Sequence, residues 1–331
     1  MEGKGRLYYF LLSGEHPVMP LAELEALLEI YGGRIVYSFE GAALVEDAGD
    51  PEAIVARAGW VREAGILLKI VEADEDKVVE AVEEASKTLG EVRVEFRKFK
   101  AYSCHVDSRM LGAYKARGGT PLRVFVSEGV TLIGVPLARL DTRGFNERRP
   151  GRRPFFKPGP LSPQLSRVFV NLSRLPPGGV FLDPFCGTGG FVLEACLAGA
   201  SVCVCSDIAE EMVRGSRVNL EHYGVYGRSL VAKADAAAIP VRDESVDAIA
   251  TDPPYGRSTT TAKRRYEELV ALFLDEARRT LKPGGHVVYA GPASKQPWRL
   301  AVEAGLEVRG RYHMHVHGSL TREVVVARKV G

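Results

Sequence analysis

The chain has 331 residues, of which 46% are hydrophobic and 26% charged, and its formal net charge is +2. This composition is typical of a globular protein of two or three domains, and it excludes disordered and fibrous classes. No apolar run reaches the roughly 20 residues that a membrane-spanning helix needs. The short apolar stretch Leu7–Leu12 lacks a signal-peptide cleavage pattern, so we expect a cytoplasmic protein with no membrane partner.

The first 145 residues mix helix and strand patterns. Residues 1–60 predict strand, helix, strand, strand and helix, which we interpret as a ferredoxin-like α+β subdomain. Residues 61–145 form a second predicted α+β domain, with an amphipathic helix at Glu75–Leu89 and a hairpin around Glu128-Gly129.

Basic residues are concentrated in residues 91–157, where 15 lysines and arginines accompany 6 acidic residues. Such an excess indicates a polyanionic partner, and a solvated, flexible linker is the alternative. Five prolines are expected to exclude helix from residues 141–163, so we predict a linker at 146–162. The candidate RNA-binding residues are Arg97, Lys98, Lys100, Lys115, Arg117, Arg148, Arg149, Arg152 and Arg153, with Arg257 from a later loop.

From residue 163 onward, apolar strands alternate regularly with helices. This pattern predicts a mainly parallel sheet covered on both faces, an α/β fold. The last two strands, within residues 307–329, predict an antiparallel hairpin.

The cysteines and histidines give weaker signals. Four cysteines (Cys186, Cys196, Cys203 and Cys205) lie in apolar surroundings and are expected to be small buried hydrophobic residues. A disulfide is expected only if the source is a hyperthermophile. His313, His315 and His317 share one face of a strand, which permits a metal site, but no suitably spaced carboxylate or cysteine accompanies them and we predict none.

A glycine-rich segment, Asp183-Pro184-Phe185-Cys186-Gly187-Thr188-Gly189-Gly190, follows the first strand of this half and opens a helix. Glycines let a ligand approach the backbone closely at the carboxyl edge of a parallel sheet. The spacing differs from the dinucleotide fingerprint, which argues against a pyrophosphate ligand. A simple tight turn is the alternative.

The next two strands end in acids, Asp207 and Asp235. An acid at the first position can accept both ribose hydroxyls of a nucleoside, and one at the second can accept an adenine amino group. Either acid alone is more often a helix N-cap. Together with Asp183 they predict an adenosyl cofactor.

The fourth strand ends in Asp252-Pro253-Pro254-Tyr255, the most specific motif of the chain. Two prolines stiffen the loop and remove amide donors, which leaves carbonyl and carboxylate acceptors for an exocyclic amine. Tyr255 can stack on a flat base. A base amine is a poor nucleophile, and acceptors that localise its lone pair and take its proton overcome this. The alternative is a strand-ending turn with two prolines.

These motifs, in this order, resemble those of the Rossmann-like class I methyltransferases over residues 163–331. The whole chain resembles the archaeal tRNA guanosine-10 N2-methyltransferase family, which is related to THUMP-containing guanosine N2-methyltransferases. The supporting features are the basic α+β N-terminal region, the linker segment Phe155-Phe156-Lys157-Pro158-Gly159-Pro160 and the terminal His317-Gly318-Ser319-Leu320-Thr321-Arg322.

The resemblance implies a THUMP-like domain at residues 61–145, tRNA as partner, and methylation of guanine N2 held by Asp252, Pro253, Pro254 and Tyr255. It also implies S-adenosylmethionine as cofactor, bordered by Phe156, Pro158, Asp183, Pro184, Cys186, Gly187, Thr188, Gly189, Asp207, Ile208, Asp235, Ala236 and Asp252.

Several alternatives stay open at this point. They are another tRNA site, ribosomal RNA, adenine N6 in DNA, and a non-catalytic RNA-binding scaffold. The number of methyl groups added is open, and so is the need for a small activating subunit, which some relatives have.

Overall fold

The computed structural model describes residues 5–99, 106–114, 118–255, 264–318 and 320–331. The chain divides into two compact units, Met1–Asp141 and Thr142–Gly331. Each unit is built on its own seven-stranded sheet. In the described residues, none of the helices is long and apolar enough to span a bilayer.

The first unit is a largely antiparallel sheet in the order β2-β3-β1-β4-β7-β6-β5, with β5 and β6 parallel. Its strands are β1 (Leu7–Leu12), β2 (Arg34–Phe39), β3 (Ala42–Glu46), β4 (Val61–Glu72), β5 (Val92–Lys98), β6 (Thr120–Ser127) and β7 (Val130–Arg139). Its helices are α1 (Met19–Tyr31), α2 (Pro51–Arg57) and α3 (Glu75–Leu89). One sheet therefore runs through both predicted N-terminal parts, and their division at residue 60 stays a prediction.

A buried ion pair ties the central strands of this sheet together. The Glu63 carboxylate, on β4, accepts two hydrogen bonds from Arg123 on β6, at 2.8 and 2.6 Å, and one from the Tyr9 hydroxyl on β1, at 2.9 Å. Both charged side chains are nearly excluded from solvent. Because loss of one partner leaves an uncompensated buried charge, this network favours one strand register over others.

The second unit has the strand order β10-β9-β8-β11-β12-β14-β13, with five parallel strands followed by an antiparallel pair. Its strands are β8 (Val180–Asp183), β9 (Val202–Asp207), β10 (Ser229–Lys233), β11 (Val246–Thr251), β12 (Leu281–Pro292), β13 (Glu307–His317) and β14 (Leu320–Arg328). Its helices are α4 (Arg143–Glu147), α5 (Pro163–Leu172), α6 (Gly190–Leu197), α7 (Glu210–His222), α8 (Tyr266–Thr280) and α9 (Pro297–Glu303). The predicted Rossmann-like sheet with its terminal hairpin is confirmed.

Parallel pairing places the carboxyl ends of β8, β9, β10 and β11 at one edge of the sheet. Central strand residues such as Phe181, Leu182 and Ile249 are fully buried, since helices cover both faces. The loops that follow these strands therefore converge on one crevice.

One expectation was wrong, and another held only in part. Helix α4 lies within the stretch expected to exclude helix, because residues 143–147 precede the first proline, Pro150. Cys186 and Cys205 form a disulfide, with their Cα atoms 5.5 Å apart, because parallel pairing of β8 and β9 brings together residues 19 apart in sequence. Cys196 and Cys203 are buried thiols, as expected.

Candidate active site

Asp183 ends β8 and is completely buried. Its Oδ1 accepts hydrogen bonds from the Thr251 hydroxyl, at 2.7 Å, and from the Phe185 N–H, at 3.2 Å. Its Oδ2 has no hydrogen-bond partner among the described residues. Burial raises the pKa of this carboxyl to about 8 against the hydrogen bonds that lower it, and the charges of Asp207 and Asp252 raise it further. Asp183 therefore holds its proton more strongly than an ordinary carboxyl does.

The turn after β8 is held in a conformation that only glycine adopts readily. Gly187 and Gly189 have φ of 49° and 80°. The Gly187 N–H donates to Asp207 Oδ2 at 3.0 Å, and the Cys186 N–H donates to the Ser206 carbonyl at 2.9 Å. With the disulfide, three links tie this turn to β9, so its backbone forms a rigid wall of the crevice.

Asp207 ends β9 and retains free acceptor capacity. Its Oδ1 accepts from the Ala209 N–H at 2.9 Å, in addition to the bond of Oδ2 with Gly187. Each carboxylate oxygen has two lone pairs, so each can accept one more hydrogen bond. Burial raises the pKa of Asp207, although the backbone N–H groups oppose the shift.

Asp235 follows β10 and is paired with Arg264. The Arg264 Nη1 lies 2.9 and 2.8 Å from the two carboxylate oxygens, and the Ala237 N–H donates to Oδ1 at 3.0 Å. Burial works against ionisation, but the Ala237 N–H and the Arg264 charge outweigh it and lower the pKa of Asp235. The carboxylate is therefore ionised and is held by Arg264.

The Asp252-Pro253-Pro254-Tyr255 loop follows β11. The Tyr255 hydroxyl donates to Asp252 Oδ1 at 2.6 Å. Arg322 of β14 donates through Nε to the Tyr255 hydroxyl at 3.0 Å, and its Nη2 lies 3.5 Å from Asp252 Oδ2. Burial raises the pKa of Asp252, and the Arg322 charge and the Tyr255 hydrogen bond oppose that rise. The Tyr255 ring also meets the Tyr266 ring edge-on, at 6.2 Å between centroids.

The predicted linker is fastened to α7 by Phe155. Its backbone N–H and carbonyl both bond the Asn219 side chain, at 2.9 and 3.0 Å, and the same amide donates to the Thr188 carbonyl at 2.9 Å. The Phe155 ring fills the space over Gly215, where any Cβ would overlap it. Phe156, which the sequence analysis placed beside the cofactor, is half exposed, and Pro158 is exposed.

Two of the candidate RNA-binding arginines point inward, which argues against their contact with RNA. Arg153 is 5% exposed and donates to the Thr188 hydroxyl. Arg148 donates to the fully buried Glu194, which also binds Arg167. Arg148 and Arg167 neutralise the Glu194 carboxylate, and the Arg148 contact fastens its segment to α6.

The other candidates for RNA contact divide into two groups. Exposed positions are Arg97, Lys98, Arg149 and Arg152. Positions outside the described residues are Lys100, Lys115, Arg117 and Arg257.

Sequence reasoning missed five residues that shape the site: Phe155, Asn219, Thr251, Arg264 and Arg322. Thr251 and Arg322 adjoin or end motifs that had been singled out, which is a usable signal. Asn219 and Arg264 belong to helical or polar stretches with no distinguishing pattern, so only the fold brings them to the crevice.

Comparison with known proteins identifies a matching family, close relatives and a shared fold. Residues 150–323 match the UPF0020 family, described as an RMKL-like methyltransferase domain. The chain is 37% identical to the tRNA (guanine(10)-N2)-dimethyltransferase of Methanothermobacter thermautotrophicus, over 97% of this chain and 98% of that protein. It is 34% identical to the enzyme of that name from Pyrococcus abyssi, over 96% and 98%. The crystal structure of TrmN from Thermus thermophilus shares the fold, with a TM-score of 0.56 and 24% identity over 98% of this chain and 100% of that one.

Proposed function

This chain belongs to the tRNA (guanine(10)-N2)-dimethyltransferase family, and from that membership we propose that it methylates the exocyclic N2 of guanosine 10 in tRNA, once or twice, with S-adenosylmethionine as methyl donor. The observation that carries the proposal is the partly buried Asp252 carboxylate, held by Tyr255 at the sheet edge where Asp183, Asp207 and Asp235 also lie at or just after strand ends.

The residues at this edge fit the cofactor. The open lone pairs of Asp207 suit two ribose hydroxyls, and the ionised Asp235 suits an adenine amino group, with Ile208 and Ala236 beside them. The left-handed glycines of the turn leave a backbone surface without side chains for the methionine part. The buried Asp183 shapes this turn from below, through its bonds with the Thr251 hydroxyl and the Phe185 N–H. Bound S-adenosylmethionine would supply a methyl group on a positively charged sulfur.

The Asp252 loop binds the other reactant, the guanine base. The N2 lone pair of guanine is delocalised into the ring, so the amine is a weak nucleophile. Asp252 and a backbone carbonyl of the loop accept hydrogen bonds from the amine and localise the lone pair on nitrogen. The nitrogen loses a proton as it gains the methyl group, and Asp252 takes that proton. The base reaches the loop only when flipped out of its helix, which costs a few kcal/mol.

Phosphate contacts offset this cost. We assign them to the exposed Arg149 and Arg152 of the second unit and to Arg97 and Lys98, which lie in residues 61–145, the part that we take as THUMP-like. A tRNA substrate also implies a cytoplasmic location.

Substitution of the acceptor tests the assignment. Asp252→Ala should abolish turnover, whereas S-adenosylmethionine binding, measured by calorimetry, should stay near that of the unmodified chain. Asp275→Asn, on the exposed face of α8, is the matched control and should keep full activity. Near-normal turnover by Asp252→Ala would contradict the role given to this carboxylate. Activity of the purified chain alone would also show that no activating subunit is required.

A further inference from the structure

Arg322 lies on β14, 67 residues after Tyr255, and reaches back to the Asp252 loop. Its side chain is 11% exposed. The guanidinium bonds the Tyr255 hydroxyl, at 3.0 Å, and its carbon lies 5.9 Å from the centroid of the tyrosine ring. The terminal motif that ends in Arg322 therefore belongs to the same site as the Asp-Pro-Pro-Tyr loop.

The three side chains form a hydrogen-bond chain with only one possible direction. A guanidinium donates and never accepts, so the Tyr255 oxygen must accept from Arg322. The single hydroxyl proton of Tyr255 is then free to point only at Asp252 Oδ1, 2.6 Å away. Asp252 Oδ2 is left 3.5 Å from the guanidinium, beyond a strong hydrogen bond, and is the oxygen available to an incoming amine.

We propose that Arg322 is a positioning residue for methyl transfer: through Tyr255 it fixes the orientation of the Asp252 carboxylate and keeps Oδ2 open to the guanine amine. This inference rests on the proposed function. It adds the reason why an arginine of the last strand contacts the Asp252 loop.

The positive charge of Arg322 supports the same role. The groups that face Asp252 are Tyr255 on its own loop, Tyr266 on α8, Asp183 on β8 and Arg322 on β14. Arg322 is the cation among these four, and it opposes the rise in the pKa of Asp252 that burial causes. Removal of the guanidinium therefore raises the pKa of Asp252, and a larger fraction of the carboxyl is protonated at any acidic pH. A protonated Asp252 cannot take the amine proton.

The test compares Arg322→Gln, Arg322→Lys and Tyr255→Phe in kcat, KM for tRNA, S-adenosylmethionine affinity and the pH dependence of kcat. Arg322→Gln should lower kcat about 10–100-fold, with cofactor affinity unchanged within about twofold. In the Arg322→Gln variant, the acidic limb of the curve of kcat against pH should move to higher pH by about one unit or more. A nearby opposite charge shifts a carboxyl pKa by about 1–3 units. Arg322→Lys keeps the charge, so its acid limb should stay near that of the unmodified chain.

A double-mutant cycle separates positioning from general destabilisation. The orienting contact of Arg322 runs through Tyr255. At a pH above the acid limb of every variant, the double variant should therefore lose about as much kcat as the worse single variant, and not the product of both losses. Arg309→Gln, on neighbouring β13 with a half-exposed side chain, is the control and should change neither kcat nor the pH profile.

Two results would overturn the inference. One is multiplicative losses in the cycle, and the other is an Arg322→Gln variant whose pH profile matches that of the unmodified chain. Failure of the unmodified chain to methylate tRNA would instead reject the proposed function, so the two failures are distinguishable.

Discussion

Replacement of Asp183 by asparagine should change how the stability of the second unit depends on pH. The buried carboxyl has a pKa of about 8 in the folded chain, against an ordinary value of 3.8. Between these values the folded state keeps its proton and the unfolded state releases it, so rising pH favours unfolding. Each pKa unit corresponds to about 1.36 kcal/mol, which gives a loss on the order of 5 kcal/mol between pH 4 and pH 8.

Asp183→Asn removes this loss, because the amide is neutral in both states and its oxygen still accepts from Thr251. The variant should match the unmodified chain near pH 4 and exceed its stability progressively up to pH 8. Urea unfolding at pH 5 and pH 8.5, followed by Trp298 fluorescence in a Trp60→Phe background, measures the effect in the second unit.

The control is Asp243→Asn, whose carboxylate is 73% exposed; it should keep the pH dependence of the unmodified chain. An Asp183→Asn variant with that same pH dependence would refute the reasoning, since Asp183 would then be ionised in the folded state.

Three further outcomes follow from other contacts of the second unit. Asp235→Ala should weaken S-adenosylmethionine binding about 10–100-fold in calorimetry, because loss of a charged acceptor costs about 1.5–3 kcal/mol; an unchanged Kd would remove Asp235 from the cofactor site. Cys205→Ser should lower the Tm by about 6–12 °C under non-reducing conditions, since a bridge across 19 residues contributes about 3 kcal/mol by chain entropy, and equal Tm values would argue against a disulfide with Cys186. Glu194→Gln should destabilise the second unit by about 3–5 kcal/mol in urea unfolding, because two buried cations lose their counterion, and a change below about 1 kcal/mol would contradict that pairing.

The catalytic half was predictable because its signals are local. Apolar strands that each end in an acid need only parallel pairing to bring Asp183, Asp207, Asp235 and Asp252 to one edge, and the alternation of strands and helices predicts that pairing. The glycine turn was predictable for the same reason, since φ values of 49° and 80° demand glycine at Gly187 and Gly189.

What escaped prediction depends on packing between distant residues. A local charge excess does not say where a side chain points, so Arg148 and Arg153 were assigned to RNA although Glu194 and Thr188 hold them inside. Phe155 and Phe156 are adjacent and chemically identical, and the sequence does not show that it is the Phe155 ring that lies over the bare backbone of Gly215.

Contacts across a sheet were equally hidden from sequence. Cys186 meets Cys205 because β8 pairs with β9, and Tyr255 meets Arg322 because β12 pairs with β14 and carries it to the catalytic edge. Neither pair has a spacing that a periodic pattern could reveal.

The most direct test of the central claim is methyl transfer to defined RNA. The purified chain is incubated with isotopically labelled S-adenosylmethionine and a tRNA transcript with guanosine at position 10, and nuclease fragments are mapped by mass spectrometry. We expect N2-methylguanosine or N2,N2-dimethylguanosine at position 10, and no label in a transcript with adenosine there, in ribosomal RNA or in DNA. Label at another tRNA position, or only in ribosomal RNA or DNA, would contradict it.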